Sequence, residues 1–423
     1  MPPIRFIHAA DLHLDAAFSG LSRDIPADFA ERLRTATFTA FRRLLDLCER
    51  ESPDFLLLAG DVYNQEDASV SAQLALRDGF RRLESLSIPV FLVHGNHDPL
   101  ASRLRSVRWP GNVTVFGELP DAVPVFRKGE GTPLAIIHGA SHASGRETRN
   151  LAALFRRTEA CGLHVGLLHA TPGDADGVAR YAPFSQGDLK ASGMDYWALG
   201  HIHDRREVCR EPLAAYPGCT QGLHINEPGE KGCLLVTAEA RPDGGYAVSF
   251  RPLGPAVWKT LDMDLGGAAS LDELENRLRT GLDRAAAEVW SGCEMLLVRL
   301  RLQGRTELDG LLRKGTTCAE LADRLREDGS GVPRIWIKDI DVATRPCVER
   351  GALLEREDLL GEVFRLSEAA RTASGLQALR EGPLAPLFAH ARAGKALEPL
   401  TDEELARLLD DAESLCLDLL END

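Results

Sequence analysis

Apolar runs and helical periodicity alternate over the first hundred residues of the chain. Short apolar runs predict buried strands at residues 4–9, 54–59 and 90–93. Between these runs, apolar residues recur at helical spacing over residues 32–49 and 70–86. The β-α-β-α-β order predicts a layered α/β sheet. Functional side chains of such a sheet are expected beyond the carboxyl ends of its strands.

Strand patterns then dominate as far as about residue 240. Further strands are expected at residues 113–116, 134–137, 165–168 and 196–199, and a helix is expected near residues 146–157. Apolar runs follow at residues 214–218 and 232–236. This stretch predicts a second sheet that packs on the first.

The pattern changes again after about residue 255. A helix at residues 271–290 and strands at residues 296–302 and 335–337 predict a small α+β domain. From residue 355 the pattern is helical, and Thr401 and Glu404 have capping-box spacing ahead of the last helix. We therefore expect three domains, at residues 1–254, 255–345 and 346–423.

Oxygen and imidazole donors follow five of the predicted strands. They are Asp11, His13, Asp61, Asn96, His97, Asp98, His169, His201 and His203. A donor set without cysteine suits hard to borderline divalent cations, so Mn²⁺ is expected, with Fe²⁺ or Zn²⁺ as alternatives. The set is larger than one ion needs and about large enough for two. Asp61 is the only carboxylate at its strand end, which makes it the expected bridge.

The turn Gly95-Asn96-His97-Asp98 carries three kinds of polar side chain. Asn96 can bind a hard cation through its oxygen. His97 can face whatever that cation holds, and we expect Asp98 to fix the His97 ring by a hydrogen bond. Taken singly, Asp11 and Asp61 are also compatible with helix N-caps, and Asn96 with a plain turn residue. The metal interpretation depends on all five stretches together.

Length, charge and cysteine usage narrow the function classes. The 423 residues are more than one hydrophobic core usually holds. The net charge of −15 opposes contact with a polyanion unless bound cations or local arginines reverse the charge of one cleft. The nine scattered cysteines form no Cys-x-x-Cys pair, which favours free thiols. No bilayer-length apolar stretch or signal-peptide pattern is present, so a cytoplasmic location is expected.

The order of the motifs resembles that of a known enzyme family. Asp-x-His, Gly-Asp, Gly-Asn-His-Asp, a later His and Gly-His-x-His run from Asp11 to His203, as in calcineurin-like metallophosphoesterases. The phrases FIHAADLHLD, RYAPFS, DYWALGHIH and YPGCTQG are similar to those of SbcD-type DNA repair exonucleases, most closely the YhaO-like branch. The resemblance implies a four-layer α/β/β/α sandwich, a small α+β capping domain and a helical C-terminal region.

The resemblance also implies how the donors divide. One ion would be held by Asp11, His13, Asp61 and His203, and the other by Asp61, Asn96, His169 and His201. A hydroxide that bridges two such ions attacks phosphorus in line with the leaving oxygen. His97, held by Asp98, then stabilises the transition state or protonates the leaving group.

The same resemblance implies a substrate and partners. DNA as the substrate and a role in DNA repair follow from it. So do a homodimer and the docking of an SMC-like coiled-coil ATPase on the C-terminal helices. One stretch departs from the family pattern: SbcD-type nucleases commonly carry a His shortly after Gly-Asp, and relatives often an Arg, where this chain has Asn64 and Ala68. This departure leaves the metal ligands intact and bears on efficiency and DNA-end specificity.

Several other residues and functions remain candidates. Phosphate contacts are expected from a group of arginines, for each of which a solvated charged face is the alternative: Arg103, Arg105, Arg108, Arg205 and Arg206. His224 is a candidate for the cleft wall, and structural roles are expected for His8, His94, His138, His142, His164 and His390. The alternative functions are a small-molecule phosphodiesterase or phosphatase on the same core, and a weakly catalytic scaffold that docks an ATPase.

Overall fold

The computed structural model of the chain describes residues 3–21, 25–64, 69–102, 107–174, 180–239, 245–327, 331–347, 350–389 and 400–420. The chain divides into two compact units, one formed by Met1–Gly304 and Leu311–Thr344, the other by Arg305–Gly310 and Arg345–Asp423. No helix in these described ranges has the length and apolar character needed to cross a membrane.

Two sheets and four α-helices are found among the described residues up to residue 252. In chain order the elements are β1 (Ile4–Ala9), α1 (Ala27–Arg34), α2 (Ala36–Glu51), β2 (Phe55–Ala59), α3 (Val70–Ser85), β3 (Val90–Val93), β4 (Val113–Val115), β5 (Asp121–Val125), β6 (Ala135–Ala140), β7 (Leu163–His169), α4 (Gln186–Ala191), β8 (Tyr196–Gly200), β9 (Arg206–Arg210), β10 (Leu213–Tyr216), β11 (Gly232–Ala238) and β12 (Tyr246–Pro252).

The remaining elements are a three-stranded sheet with its helices and a group of C-terminal helices. They are β13 (Ala256–Asp264), α5 (Leu271–Glu288), β14 (Met295–Thr306), α6 (Asp309–Leu312), α7 (Thr317–Glu327), β15 (Arg334–Pro346), α8 (Arg350–Leu354), α9 (Leu359–Ala370), α10 (Ala373–Glu381), α11 (Ala385–Ala389) and α12 (Asp402–Leu420).

The two large sheets have six strands each, in the orders β12-β11-β1-β2-β3-β4 and β5-β6-β7-β8-β10-β9. Strands β1 to β4 are parallel, as are β6, β7, β8 and β10. The sheets share a core in which Phe6 stacks on Phe55 at 5.0 Å and meets Tyr196 edge-on at 5.1 Å between ring centroids. The predicted second sheet, packed on the first, is therefore confirmed.

Helices and loops cover the outer faces of both sheets. Apolar residues of α2 and α3, such as Phe41 and Phe80, pack on the first sheet. Phe155 and Leu189 pack with Trp197 of the second sheet. Because both faces of the central strands are covered, their sequences are continuous apolar runs. The four-layer α/β/β/α sandwich is confirmed.

The three-stranded sheet, in the order β13-β14-β15, belongs with the first unit except for the last two residues of β14 and of β15. Phe29 of α1 packs in one core with Trp258 of β13 and Trp336 of β15. Arg299 and Arg301 of β14 pair with aspartates of β15 at 2.6 and 3.3 Å. The α+β character expected here is present, and the limits at residues 254 and 345 stay a prediction.

Two helix predictions for the first unit need correction. The helix expected near residues 146–157 is wrong: the structure has only a 3-10 turn at Ala152–Leu154. The Asn150 side chain accepts a hydrogen bond from the Ala153 N–H at 3.1 Å, and Leu151 and Phe155 are both buried. Because Asn150 caps the turn, helical structure can begin only after residue 150, and the extended main chain at Phe155 (φ −70°, ψ 137°) ends it after one turn. The stretch at residues 32–49 is divided between α1 and α2, which meet at Thr35.

The second unit is helical, as the pattern predicts. The capping box is confirmed, since the Thr401 N–H donates to Glu404 at 2.7 Å and the Glu404 N–H donates to the Thr401 hydroxyl at 3.2 Å. Leu417 of α12 packs with Leu360 and Phe364 of α9. The apolar residues of α12 divide between two faces, because Leu405 and Leu417 are buried whereas others are exposed, namely Leu408, Leu415 and Leu419.

Candidate metal centre

The carboxyl ends of strands from both large sheets bring the predicted donors together. Strand β1 leads into Asp11 and His13, and β2 leads into Asp61. Strand β3 leads into the turn that carries Asn96. Strand β7 ends in His169, and β8 leads into His201 and His203. The shared strand direction within each sheet therefore places the five stretches at one rim of the sandwich, as expected.

One group of ligand atoms is formed by Asp11, His13 and His203, which lie within 4.8 Å of one another. The Nε2 atoms of His13 and His203 are 3.1 Å apart. Two imidazole nitrogens on one cation, each about 2.1 Å from it, would lie roughly 3.0–3.4 Å apart. The separation fits a shared ion.

A second group is formed by Asp11, Asp61 and His169. The His169 Nε2 lies 3.0 Å from the Asn96 Oδ1 and 3.4 Å from the Asp61 Oδ2. The same Asp61 oxygen lies 3.9 Å from the His13 Nε2. Asp11 is thus common to both groups, whereas Asp61 belongs to the second and borders the first, a position from which its carboxylate can bridge two ions.

His201 adjoins the second group. Its ring centroid is 5.2 Å from that of His169. Its main-chain N–H donates to both carboxylate oxygens of Asp11 at 3.1 Å. The seven predicted ligands are therefore gathered in one place, although their role as ligands stays a prediction.

Backbone strain is concentrated at this rim. Asp11, His13, Asp61 and His201 have φ angles of 51°, 42°, 50° and 103°, in the left-handed region that side chains other than glycine rarely adopt. Each such residue costs about 1–3 kcal/mol. Main-chain hydrogen bonds hold the strained turns, since the Asp11 N–H donates to the Gly60 carbonyl and the His13 N–H to the Asp61 carbonyl, both at 3.1 Å. Strain kept in place at several donors is typical of a functional site.

Three motif glycines form a slot for the His169 ring. A Cβ atom on Gly60 would lie 2.5 Å from the His169 Nδ1, one on Gly95 2.8 Å from its Cδ2, and one on Gly200 3.0 Å from its Nδ1. The His169 Nδ1–H donates to the Ala59 carbonyl at 2.9 Å. This bond fixes the tautomer, so that the Nε2 lone pair faces the donors.

The prediction that Asp98 fixes the His97 ring is wrong. The His97 Nδ1–H donates to the main-chain carbonyl of Asn64 at 2.8 Å. Asp98 instead accepts from the N–H groups of Gly95 at 2.8 Å and Val62 at 3.0 Å. Asp98 is fully buried, so it ties two donor-bearing turns together and has no free side to offer a substrate. Any residue can supply a main-chain carbonyl, so the sequence carries no signal for the role of Asn64.

Burial shapes the electrostatics of the centre. It raises the pKa of Asp61 well above its usual value, and the nearby Asp98 and Asp11 carboxylates raise it further. Burial also lowers the pKa values of His13 and His169 well below the usual range. Neutral imidazoles are the form that binds metal, and a cation would stabilise the crowded carboxylates in their charged form. The donor set therefore fits divalent cations.

The candidate phosphate contacts are more scattered. Arg103 and Arg105 lie outside the described residues, as do Ala68 and His390. Arg108 is exposed and lines a cavity of about 380 Å³ beside α3. Arg205 lies over the Phe250 ring at 4.2 Å and Arg206 over the Tyr216 ring at 5.4 Å. Their contact with phosphate stays a prediction.

Four of the remaining histidines have structural partners. His8 is buried, with its ring nitrogens 3.0 Å from the Tyr196 hydroxyl and 3.2 Å from the Leu199 carbonyl. The His142 Nε2–H donates to the His169 carbonyl at 2.6 Å. His138 and His164 bind each other at 3.0 Å. The structural interpretation of these residues is therefore confirmed.

Sequence reasoning missed two residues that hold His203. Glu227 lies 2.5 Å from the His203 Nδ1, and the Lys231 ammonium donates to the His203 carbonyl at 3.0 Å. His224 contacts the same Glu227 oxygen at 3.1 Å. Both residues lie in the loop after Tyr216-Pro217-Gly218, where neither spacing nor residue type marks them.

Comparison with known proteins agrees with this geometry. Residues 4–205 match the family of calcineurin-like phosphoesterases, and residues 258–345 match the middle domain of metallophosphoesterase YhaO. The chain is 34% identical over 386 residues to the uncharacterized metallophosphoesterase YhaO of Bacillus subtilis, which covers 90% of this chain and 91% of that protein.

More distant relatives carry a different description. The DNA double-strand break repair protein Mre11 of Aeropyrum pernix is 28% identical over 320 residues, with 68% of this chain and 69% of that protein covered. The protein of the same description from Sulfurisphaera tokodaii is 26% identical over 216 residues, covering 49% of this chain and 50% of that protein.

Proposed function

The chain belongs to the calcineurin-like phosphoesterase family, and from this premise we propose that it is a two-metal-dependent phosphodiesterase that hydrolyses DNA in DNA repair. The observation that carries the proposal is the pair of adjoining donor groups, which have Asp11 in common and which the Asp61 carboxylate borders on both sides. DNA as the substrate is supported by the motif phrases and by relatives described as DNA double-strand break repair proteins. Mn²⁺ is the proposed cation because the donors are oxygens and imidazoles.

His97 is the proposed proton donor or transition-state stabiliser. Two bound divalent cations supply Lewis acidity and a nucleophile made from water at neutral pH. Because the His97 Nδ1–H is held by the Asn64 carbonyl, its Nε2 is left to face a substrate oxygen, to which it donates when the imidazole carries protons on both nitrogens. The residue is exposed, and its ring lies 5.0 Å from that of His13. Its main-chain N–H donates to the Asp61 Oδ1 at 3.0 Å, which sets the ring beside the proposed bridge.

A substrate panel tests the proposal. The purified chain is incubated with Mn²⁺ and single-stranded, double-stranded and hairpin DNA, cyclic nucleotides and a phosphate monoester. We expect DNA cleavage that falls about 10²–10⁴-fold in His97→Ala and is lost in Asp61→Ala. Asp78→Ala, an exposed aspartate of α3, is the matched control. Cleavage that persists unchanged in Asp61→Ala would contradict the proposal, and preference for a cyclic nucleotide or a monoester would favour a small-molecule enzyme.

We also propose that α12 docks a coiled-coil ATPase of the SMC-like kind, as the resemblance implies, and that the chain forms a homodimer. Support comes from Leu408, Leu415 and Leu419, which are 46%, 59% and 66% exposed and recur at helical spacing on one helix. If no ATPase is bound while cleavage is intact, the docking proposal fails separately from the nuclease proposal.

Docking is tested by co-purification of the full chain with the candidate ATPase. Deleting residues 399–423, or replacing the three exposed leucines by glutamine, is expected to abolish co-purification and to leave DNA cleavage intact. Leu271→Gln, at a residue that is 53% exposed in α5, is the control. Retained co-purification after the deletion would refute docking through α12.

A further inference from the structure

His203 is the most exposed of three imidazoles at the candidate centre. Its side chain is 31% exposed, compared with 4% for His13 and 0% for His169. Packing alone therefore restrains this ring less than it restrains the other two. Other contacts are needed to keep its Nε2 at the observed 3.1 Å from the His13 Nε2.

The first such contact is made by Glu227. Its Oε1 lies 2.5 Å from the His203 Nδ1, so the Nδ1–H donates and the Nε2 carries the free lone pair. Glu227 is itself held in place, because it is buried and its Oε2 accepts from the Leu223 N–H at 2.7 Å. A fixed carboxylate behind an imidazole determines both its tautomer and its orientation.

The second contact is made by Lys231, whose side chain is only 4% exposed. Its ammonium donates to the His203 carbonyl at 3.0 Å and to the Asp204 carboxylate at 2.8 Å. The His203 carbonyl also accepts from the Cys219 N–H at 3.2 Å. The main chain of His203 is thus held from the same loop that holds its ring.

We propose that Glu227 and Lys231 are positioning residues that hold His203 as a ligand, Glu227 through the ring and Lys231 through the main chain. This proposal rests on the two-metal function proposed above. A carboxylate that orients a metal-bound histidine typically contributes 10–100-fold to metal affinity. The expected loss of affinity concerns the ion that His13 and His203 would hold. The affinity for the ion at His169 should change much less.

The Cys219 thiol offers a competing interpretation. His203, Cys219 and Glu227 together have ligand atoms within 4.8 Å of one another, a grouping that a separate metal site would also produce. In that case Cys219 and Glu227 would themselves be metal ligands. Glu227 would then not serve to orient the His203 ring toward an ion at its Nε2. The two interpretations differ in what removal of the thiol does, so Cys219→Ala discriminates between them.

The experiment is a calorimetric titration of the full, metal-free chain with Mn²⁺. We expect two ions per chain for the wild type. Glu227→Ala is expected to lower the affinity for one ion by about 10–100-fold and to change the affinity for the other by less than about threefold. Glu227→Gln is expected to restore part of the loss, because its amide oxygen can still accept from the Nδ1–H. Lys231→Met is expected to lower the affinity for the same ion by a smaller factor.

The controls separate a positioning role from a structural one. Glu230→Gln, at an exposed residue of the same loop, and Cys219→Ala are both expected to leave the two affinities unchanged. A structural role of Glu227 would instead lower the thermal stability of the metal-free chain and weaken both ions alike, which would overturn the proposal. So would wild-type affinity in Glu227→Ala, or loss of an ion in Cys219→Ala. A wild type that binds no Mn²⁺ would overturn the proposed function itself.

Discussion

At the scale of single residues, the motif glycines are required more by the close approach of neighbouring atoms than by their own backbone conformation. Gly60 has a left-handed φ of 88°, which by itself favours glycine. Gly95 and Gly200 have no such requirement, yet a Cβ on either would collide with the Asp61 carboxylate or the Ala59 carbonyl, at 2.2 and 1.8 Å. The sequence shows that these residues are glycine, but the reason lies in contacts with residues far away in the chain.

Gly95→Ala tests this role. The new Cβ would lie 2.2 Å from the Asp61 Oδ1, so the carboxylate must move from its place between the two donor groups. We expect Mn²⁺ affinity to fall by at least about tenfold, measured by calorimetric titration. Gly117→Ala is the control, because its Cβ would have no neighbour within 4 Å. Equal affinities in the two variants would show that the close approach is unimportant for the site.

His8 predicts an acid-sensitive step in stability. Burial lowers the pKa of His8 to about 3 in the folded chain, from 6.5 when exposed. Its contribution to stability is therefore complete above pH 6.5 and is lost as the pH falls from there towards 3. At pH 5 the loss is about 2 kcal/mol.

Denaturant unfolding of the wild type and of His8→Gln at pH 7 and pH 5 measures this contribution. The wild type is expected to lose about 2 kcal/mol more than the variant between the two pH values. The variant removes the titrating ring at a residue that the proposed mechanism does not use. Parallel pH dependence of the two proteins would contradict the assignment.

At the scale of elements, prediction succeeded where burial shows as a regular pattern of apolar residues along the sequence. Strands β1 and β3 have the limits that their apolar runs predict, and α3 begins at the predicted residue 70. The nine donors follow the strands that were expected to carry them. The prediction failed at residues 146–157, where the apolar spacing is helical but the Asn150 cap delays the start of the turn and the extended main chain at Phe155 ends it.

Partners of the donors were harder to predict than the donors. His97 is held by a main-chain carbonyl, and every residue has one. Glu227 reaches His203 across 24 residues of sequence, in a loop with no periodic pattern. Strand ends locate ligands because the fold brings them to one rim, whereas the path of a loop depends on tertiary contacts.

Helix α12 depends on one buried acid as well as on its leucines. Glu413 is 6% exposed, and both of its oxygens accept from the Arg350 guanidinium, at 2.6 and 2.9 Å. Arg371 also donates to it at 3.2 Å. Removing one member of such a group leaves the opposite charges without a partner, which costs more than the group itself contributes.

We expect Glu413→Ala to destabilise the second unit by about 2–3 kcal/mol, below the usual range for fully buried pairs because both arginines are partly exposed. Hydrogen exchange of the full chain should show faster exchange of the α12 amides, with the amides of β1 to β3 unchanged. Glu403→Ala, at an exposed acid on the same helix, is the control. Similar exchange rates in the two variants would assign α12 stability to its leucines alone.

At the scale of the whole molecule, net charge and proposed substrate are in conflict. The chain carries a net charge of −15, so its long-range field repels DNA. Under the two-metal proposal, divalent cations at the rim would reverse the charge locally, at the place proposed for the phosphate. Attraction between the chain and DNA should therefore depend on the same ions as catalysis.

This dependence can be measured in His97→Ala, in which turnover is strongly slowed, by the fluorescence anisotropy of labelled DNA. We expect Mn²⁺ to support binding and EDTA to weaken it at least about tenfold at equal ionic strength, since monovalent salt only screens charge whereas bound cations reverse it. The double variant Asp61→Ala/His97→Ala, which lacks the proposed bridge between the ions, should not recover binding when Mn²⁺ is added. Equal DNA affinity in EDTA and Mn²⁺ would place the attraction in surface arginines such as Arg108, Arg205 and Arg206, and the metal centre would then act in catalysis alone.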